Sequence, residues 1–428
     1  MLEIIDGRDS RTPVYVPRPK PPGGADPRDA VGRIVEDVRL RGDDALIEHT
    51  QRLDGIRLTA EQLRVPTDEI AKARSLVRPE LIDALEVMAE RLRSTCERQV
   101  TQGWIERGVD DMVGELVRPL RRVGIYAPGG RASYPSSVVM AAIPAQVAGV
   151  EGLAVCTPPG PSGEVSEGVL AACSVVGVTE LYRAGGAQAI AALGYGTRSV
   201  RPVDKIVGPG NIYVTLAKRL VQGWVGTDSE AGPTELAIVA DDGAGAQIVA
   251  ADLVAQAEHG PLGIHVLITP SEELAGAVNA ALELEVLAHD RSDDVENALI
   301  EGGRIALVSD IAHGIDTANA LAPEHLQLVF AGAEDAIDRI RNAGSLFVGP
   351  FSPVPVGDFV GGTNHVLPSG GTARWAGGLS VRDFVKHIYV SRYDRTALVR
   401  LAPHVAALAE AEGLPAHARA VDLRLKDG

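Results

Sequence analysis

Cysteine is scarce in this chain, and what there is does not pair. Cys96, Cys156 and Cys173 form an odd set with no Cys-x-x-Cys spacing, which fits reduced thiols in the cytoplasm rather than a disulfide framework. Cys156 follows the apolar run Leu153-Ala154-Val155 and reads as a core residue, not a nucleophile. Long hydrophobic runs are missing too. The longest, Val138 to Val147, is broken by Pro144 and Gln146 and is too short to cross a bilayer. Positive charge is in deficit: 41 Lys and Arg against 57 Asp and Glu leave a net charge of -16, which argues against nucleic-acid or anionic-membrane partners and leaves small molecules. The opening Met1-Leu-Glu-Ile-Ile-Asp6 has early acidic residues and no apolar core after a basic start, so no signal peptide is expected. Fixed-period repeats and low-complexity tracts are absent.

What is present describes a folded protein of more than one core. The hydrophobic share of 45% and charged share of 23% are those of ordinary globular chains, and 428 residues exceed the size at which a single core keeps growing. From Arg122 onward, short β-rich runs alternate with segments of helical length, the pattern of stacked βαβ units with parallel strands. Val123–Tyr126, Leu153–Cys156, Glu180–Arg183 and Lys205–Val207 form one predicted set. Leu236–Val239, His265–Ile268, Ile305–Val308, Leu326–Phe330 and Leu346–Val348 form a second. The region before Arg122 reads as mostly helical. Its clearest case is Pro79 to Val100, where Leu81, Leu85, Met88 and Leu92 recur at three- and four-residue spacing. Lys20-Pro-Pro-Gly-Gly24 reads as a hinge between an N-terminal arm and the body.

Five places could carry chemistry. Three glycine-rich turns follow predicted strands, Ala127-Pro-Gly-Gly130, Ala184-Gly-Gly-Ala-Gln188 and Gly208-Pro-Gly-Asn211; none is a G-x-G-x-x-G fingerprint. Each alone fits a tight strand-to-helix connection, but three in one sheet favour a ligand at helix N-termini. Gln256-Ala-Glu-His259 ends a helical run that Gly260 and Pro261 stop, so Gln256 and His259 share a face and could meet on one cation; surface or capping chemistry is the plainer alternative. Ala322-Pro-Glu-His325 sets a carboxylate and an imidazole at a strand entrance, where both reach one pocket only if Pro323 holds the backbone in a turn. Val356 to Pro368, with Gly370-Gly-Thr-Ala-Arg374 after it, is a long glycine-rich segment without helical or strand periodicity. Asp358 or His365 within it could ligate metal, the alternative being an Asx-turn with His365 exposed. Glu412-Gly-Leu-Pro-Ala-His417 lies in the tail, where a His means little by itself.

Taken together these places resemble the histidinol dehydrogenase family, from about the N-terminal arm to the tail. The matching strings are Val123-Gly-Ile-Tyr-Ala-Pro-Gly-Gly130, Ala184 to Leu193, Val207-Gly-Pro-Gly-Asn-Ile-Tyr213, Gly232-Pro-Thr-Glu235, Gln256-Ala-Glu-His-Gly260 and Ala322-Pro-Glu-His-Leu326. The resemblance implies an α/β fold with two Rossmann-like domains. One, of residues 21–122 and 233–378, would bear the metal and catalytic residues, and the other, 123–232, the NAD contacts. Small arms at 1–20 and 379–428 would form an intertwined homodimer. It implies NAD contacts at Tyr126, Gln188 and Asn211, and one Zn²⁺ per subunit on Gln256, His259, Asp358 and His417, the last from the other subunit. Substrate contacts would come from the same metal residues with Thr234, His325 and Glu412, and acid–base work from Glu324 and His325. Thr234 stands where members more often have Ser and keeps the hydroxyl. The implied reaction is the four-electron oxidation of L-histidinol to L-histidine, with a His base near its reference pKa of ~6.5. Rival readings are a metal-independent NAD-dependent alcohol or aldehyde dehydrogenase, a zinc hydrolase of amides or lactams, and a non-catalytic zinc-stabilised binding protein.

Overall fold

The computed structural model describes residues 2–19, 27–129 and 133–426. The expected hinge at Lys20–Gly24 and the glycine Gly130 lie outside the described residues. Two parallel sheets dominate. Five strands run in the order Leu181–Arg183, Gly152–Thr157, Arg122–Tyr126, Lys205–Val207 and Gly226–Thr227. Six run in the order Glu3–Asp6, Gly303–Leu307, Ile264–Thr269, Glu235–Ala240, His325–Val329 and Ser345–Val348. All nine strands expected from the sequence are there, within two residues at each end. No helix among the described residues is long and apolar enough to cross a membrane.

Both sheets are covered on both faces, and strand alternation shows how. Leu236, Ile238 and Ala240 join one hydrophobic cluster while Ala237 and Val239 join another, because successive side chains leave a strand on opposite sides. In the five-stranded sheet Val123, Ile125 and Val155 face the helices Pro79–Glu97 and Pro135–Ala148. Ala154 and Cys156 face Gly186–Tyr195 and the first two helices, Arg28–Arg41 and Asp43–Asp54. Helix Pro135–Ala148 is apolar all round and buried from Ser136 to Ala145, as a helix sandwiched between layers must be. Fully burying each of Val138, Val139, Met140 and Ile143 is worth about 1.5–3 kcal/mol. All three cysteines are buried and free.

Three features differ from the sequence reading. Residues 21–122 were expected with 233–378, yet the helices between Arg28 and Glu97 pack on the five-stranded sheet, because their apolar stripes meet its two faces. The N-terminal segment, expected as an arm, instead adds Glu3–Asp6 to the edge of the six-stranded sheet and buries Val14 and Val16 against it. The region before Arg122 also contains strands. Trp104–Arg107 and Asp111–Pro119 form an antiparallel sheet with Val385–Tyr393, a pairing that local periodicity cannot announce because its partners are far apart in the chain. After it, helices Arg395–Ala411 and Pro415–Lys426 pack chiefly on each other, and the second buries no residue.

Candidate active site

The catalytic pair expected from the sequence is assembled at the amino-terminal end of the six-stranded sheet. Ala322 closes helix Ile311–Leu321 in the left-handed conformation (φ 50°), and Pro323 follows, so Glu324 lies in a turn and His325 begins its strand. The turn lets the two side chains meet, Glu324 Oε2 coming within 3.6 Å of His325 Nδ1, although neither of them lines a cavity. Glu235, first residue of the adjacent strand, exchanges bonds with Glu324: Glu235 N–H donates to Glu324 Oε2 (2.9 Å) and Glu324 N–H to Glu235 Oε2 (3.3 Å). Glu235 also receives the amide of Gly370 and the guanidinium of Arg18. Arg18 is not singled out in the sequence, and Glu235 appears there only as the end of the string Gly232-Pro-Thr-Glu235 with no role given, since a salt bridge between residues so distant leaves no spacing to find.

Gln256 and His259 come from helix Ala246–Ala257 and the turn just past it, and they line one cavity of about 510 Å³ together with Asp358 and His365. Leu81, Leu85 and Met88 of helix Pro79–Glu97, which packs on the five-stranded sheet, line the same cavity. The glycine-rich segment is not wholly irregular: Val354–Phe359 is a short helix that carries Asp358. Gln256 Nε2 donates to Thr234 Oγ1 (2.5 Å) and lies 3.2 Å from His325 Nδ1, which leaves its carbonyl oxygen as the remaining donor atom. His365 is not exposed as the Asx-turn alternative required; its Nε2 is buried without a partner.

Glu324 and His325, the acid–base pair expected from the sequence, sit behind the wall of that cavity. His325 is 3% exposed, and its Nε2 stands 3.4 Å from Asp358 Oδ1. Burial by itself would lower the His325 pKa, but the Glu324 and Asp358 carboxylates outweigh it and push it up to about 9, away from the reference value expected from the sequence. Burial raises Glu324. Burial lowers the pKa of His259 and His365, which favours their neutral forms, whereas the hydrogen bond and charge of His325 keep Asp358 below the usual carboxylate range despite its burial. An amide oxygen, a neutral imidazole and an ionised carboxylate on one wall are donors that fit an N/O-ligated divalent cation. Among the described residues no group of three or more His, Cys, Asp and Glu side chains is arranged to hold a metal, and the expected fourth ligand is elsewhere. His417, in the first turn of the last helix, and Glu412 are both exposed and do not line the cavity.

A second cavity of about 980 Å³ opens at the carboxyl ends of the five-stranded sheet and shares Ser133 with the first. Tyr126, Gln188 and Asn211 all line it. Tyr126 ends the central strand and Asn211 follows its neighbour Lys205–Val207; the chain switches direction of winding between these two strands, the place where open α/β sheets bind ligands. Tyr126 OH accepts the amide of Gly186 (3.1 Å). Asn211 Oδ1 caps helix Ile212–Val221 by accepting the amides of Tyr213 and Val214. The glycine at 208 has a packing reason: its φ is 116°, and a Cβ there would fall 2.2 Å from Tyr126 O.

Two doubly wound sheets, one with a cavity at its switch point, and a buried carboxylate–imidazole pair beside a second cavity define an α/β protein with two separate cavities of ligand size. Comparison with known proteins names the family. The histidinol dehydrogenase family model matches residues 23–425. The chain is 49% identical over 398 residues to histidinol dehydrogenase of Thermobifida fusca, covering 92% of this chain and 90% of that protein. It is 46% identical over 396 residues to that of Synechococcus sp., covering 92% and 91%. The crystal structure of histidinol dehydrogenase from Elizabethkingia anophelis superposes with a TM-score of 0.91 at 35% identity, covering 100% of this chain and 98% of that one. The chain belongs to the histidinol dehydrogenase family and is an oxidoreductase.

Proposed function

We propose that this protein oxidises L-histidinol through a bound L-histidinal to L-histidine, consuming two NAD, as the last steps of histidine biosynthesis in the cytoplasm. The observation that carries the reading is the Glu324–His325 pair, buried directly behind a cavity wall bearing Gln256, His259 and Asp358. In this reading Tyr126, Gln188 and Asn211 hold NAD, which accepts a hydride at each oxidation. Gln256, His259 and Asp358, completed by His417 of a second subunit, hold one Zn²⁺, whose chemistry is to anchor and polarise the substrate's nitrogen and oxygen donors. Thr234 keeps the Gln256 amide nitrogen engaged, so that its oxygen faces the ligand set. The exposed last helices suit the exchange of residues 379–428 in a homodimer, which would bring Glu412 and His417 to the neighbouring cavity.

His325 takes the alcohol proton. In the state described here Asp358 covers its Nε2, so base action requires the Asp358 carboxylate to turn away. Glu324, held up by burial and next to His325, then serves with it to deprotonate the water that hydrates the aldehyde. Because the Glu324 carboxylate stays beside His325 and raises it, the base form grows with pH, and kcat/KM is expected to climb from neutral into alkaline pH. A profile already flat below pH ~6.5 would remove His325 as the base.

The direct test is the NADH formed per L-histidinol consumed. Two are expected, with loss of turnover on chelation and recovery on adding Zn²⁺; one NADH, or turnover indifferent to chelators, would overturn the reading. Mixing His259→Ala with His417→Ala subunits is expected to restore part of the activity each lacks, since one cavity of the mixed dimer would then have all its ligands. No recovery would put the four ligands in one chain.

A further inference from the structure

Among the side chains lining the larger cavity, Asp54 is the one the fold leaves without a purpose. It is the last residue of helix Asp43–Asp54, where the carbonyl end of the helix already carries negative partial charge and disfavours a carboxylate. It is half-buried, and burial pushes its pKa up to about 6. Among the described residues no cation pairs with it; its one hydrogen bond is from Gln188 Nε2 to Oδ2, at 3.3 Å. Gln188 is itself 1% exposed, and its Oε1 has no partner. An uncompensated carboxylate and an unsatisfied amide, side by side on a cavity wall, are polar groups that await donors from a ligand.

The chemistry of those donors follows from what the fold omits. Ordinary dinucleotide domains carry an acidic residue that accepts the ribose hydroxyls, beyond their first glycine turn. Here the strand next to the central one, Gly152–Thr157, runs into Pro158-Pro-Gly160 with no carboxylate. Glu164, the other acidic residue lining the cavity, is exposed and already accepts both the amide and the hydroxyl of Ser162. We propose that Asp54, delivered by a helix outside the strand set, accepts the vicinal hydroxyls of the dinucleotide's ribose and thereby excludes a 2′-phosphorylated dinucleotide. This rests on the reading of the larger cavity as the NAD site. A carboxylate can accept two hydroxyl donors at once but repels a phosphate brought to the same place.

The test is binding of ADP-ribose and of 2′-phospho-ADP-ribose to the purified protein by titration calorimetry, alongside kcat/KM for NAD and NADP. Wild type is expected to prefer the unphosphorylated ligand. Asp54→Asn keeps an oxygen for the Gln188 contact but loses the charge, and should cut that preference by about 10- to 100-fold. Asp54→Ser, smaller and neutral, should do the same, so that a fault peculiar to one variant does not decide the matter. Unchanged selectivity in both variants would overturn the role of Asp54 while leaving the NAD site intact. Failure of wild type to bind ADP-ribose would overturn the NAD reading, and this inference with it.

Discussion

Replacing His325 by alanine is expected to lower kcat by about 10²–10⁴-fold with both the alcohol and the aldehyde as substrate, the range for loss of a positioned acid–base group. Both oxidations need a proton removed as hydride departs, so neither half-reaction escapes. Glu324→Gln should behave differently. The amide oxygen can still accept the Glu235 N–H that now binds Glu324 Oε2, so the local backbone is preserved and only the titrating oxygen is lost. Alcohol oxidation is then expected within about 10-fold of wild type, and aldehyde oxidation slower by about 10²-fold or more. Single-turnover appearance of NADH from histidinol and from histidinal separates the two. Equal loss in both half-reactions would remove Glu324 from the hydration step.

The second large effect is expected in a place with no direct part in the chemistry. Lys218 Nζ donates to Asp228 Oδ1 and to Gly208 O, both at 2.5 Å, and Gly208 N–H donates to Asp228 Oδ2 at 2.7 Å. The buried pair thus clamps both backbone groups of the left-handed glycine that opens the turn to Asn211. Lys218 and Asp228 side chains are 8% and 1% exposed, and burial already pushes Asp228 above its ordinary range. Lys218→Met leaves that carboxylate without its cation, and unfolding by denaturant should show a loss of about 3–5 kcal/mol. Adding Asp228→Asn should recover much of the stability, because no charge is then left buried. In the NAD reading the single variant also raises KM for NAD, as the turn bearing Asn211 loosens. A stable Lys218→Met protein would mean that the clamp is slack in solution.

The sequence by itself determined the α/β class and nearly all the parallel strands, because a buried strand writes its own pattern: a short apolar run with a turn residue at each end. It also pointed to Gln256 and His259 as neighbours, and both line one cavity, although the helix ends at Ala257 and His259 reaches it from the turn beyond. What it left to the tertiary structure were relations between distant segments. Glu3–Asp6 and the antiparallel trio of Trp104–Arg107, Asp111–Pro119 and Val385–Tyr393 exist as strands only through partners far along the chain, and their exposed faces lack the apolar alternation of a core strand. The packing of the first helices on the five-stranded sheet was hidden for the same reason, as an apolar stripe does not say which sheet it will meet. The tertiary structure alone decided the chemistry of His325. Its pKa is set by Glu324 beside it and by Asp358 from another element, and electrostatic energy depends on distance in space, which local sequence spacing does not encode.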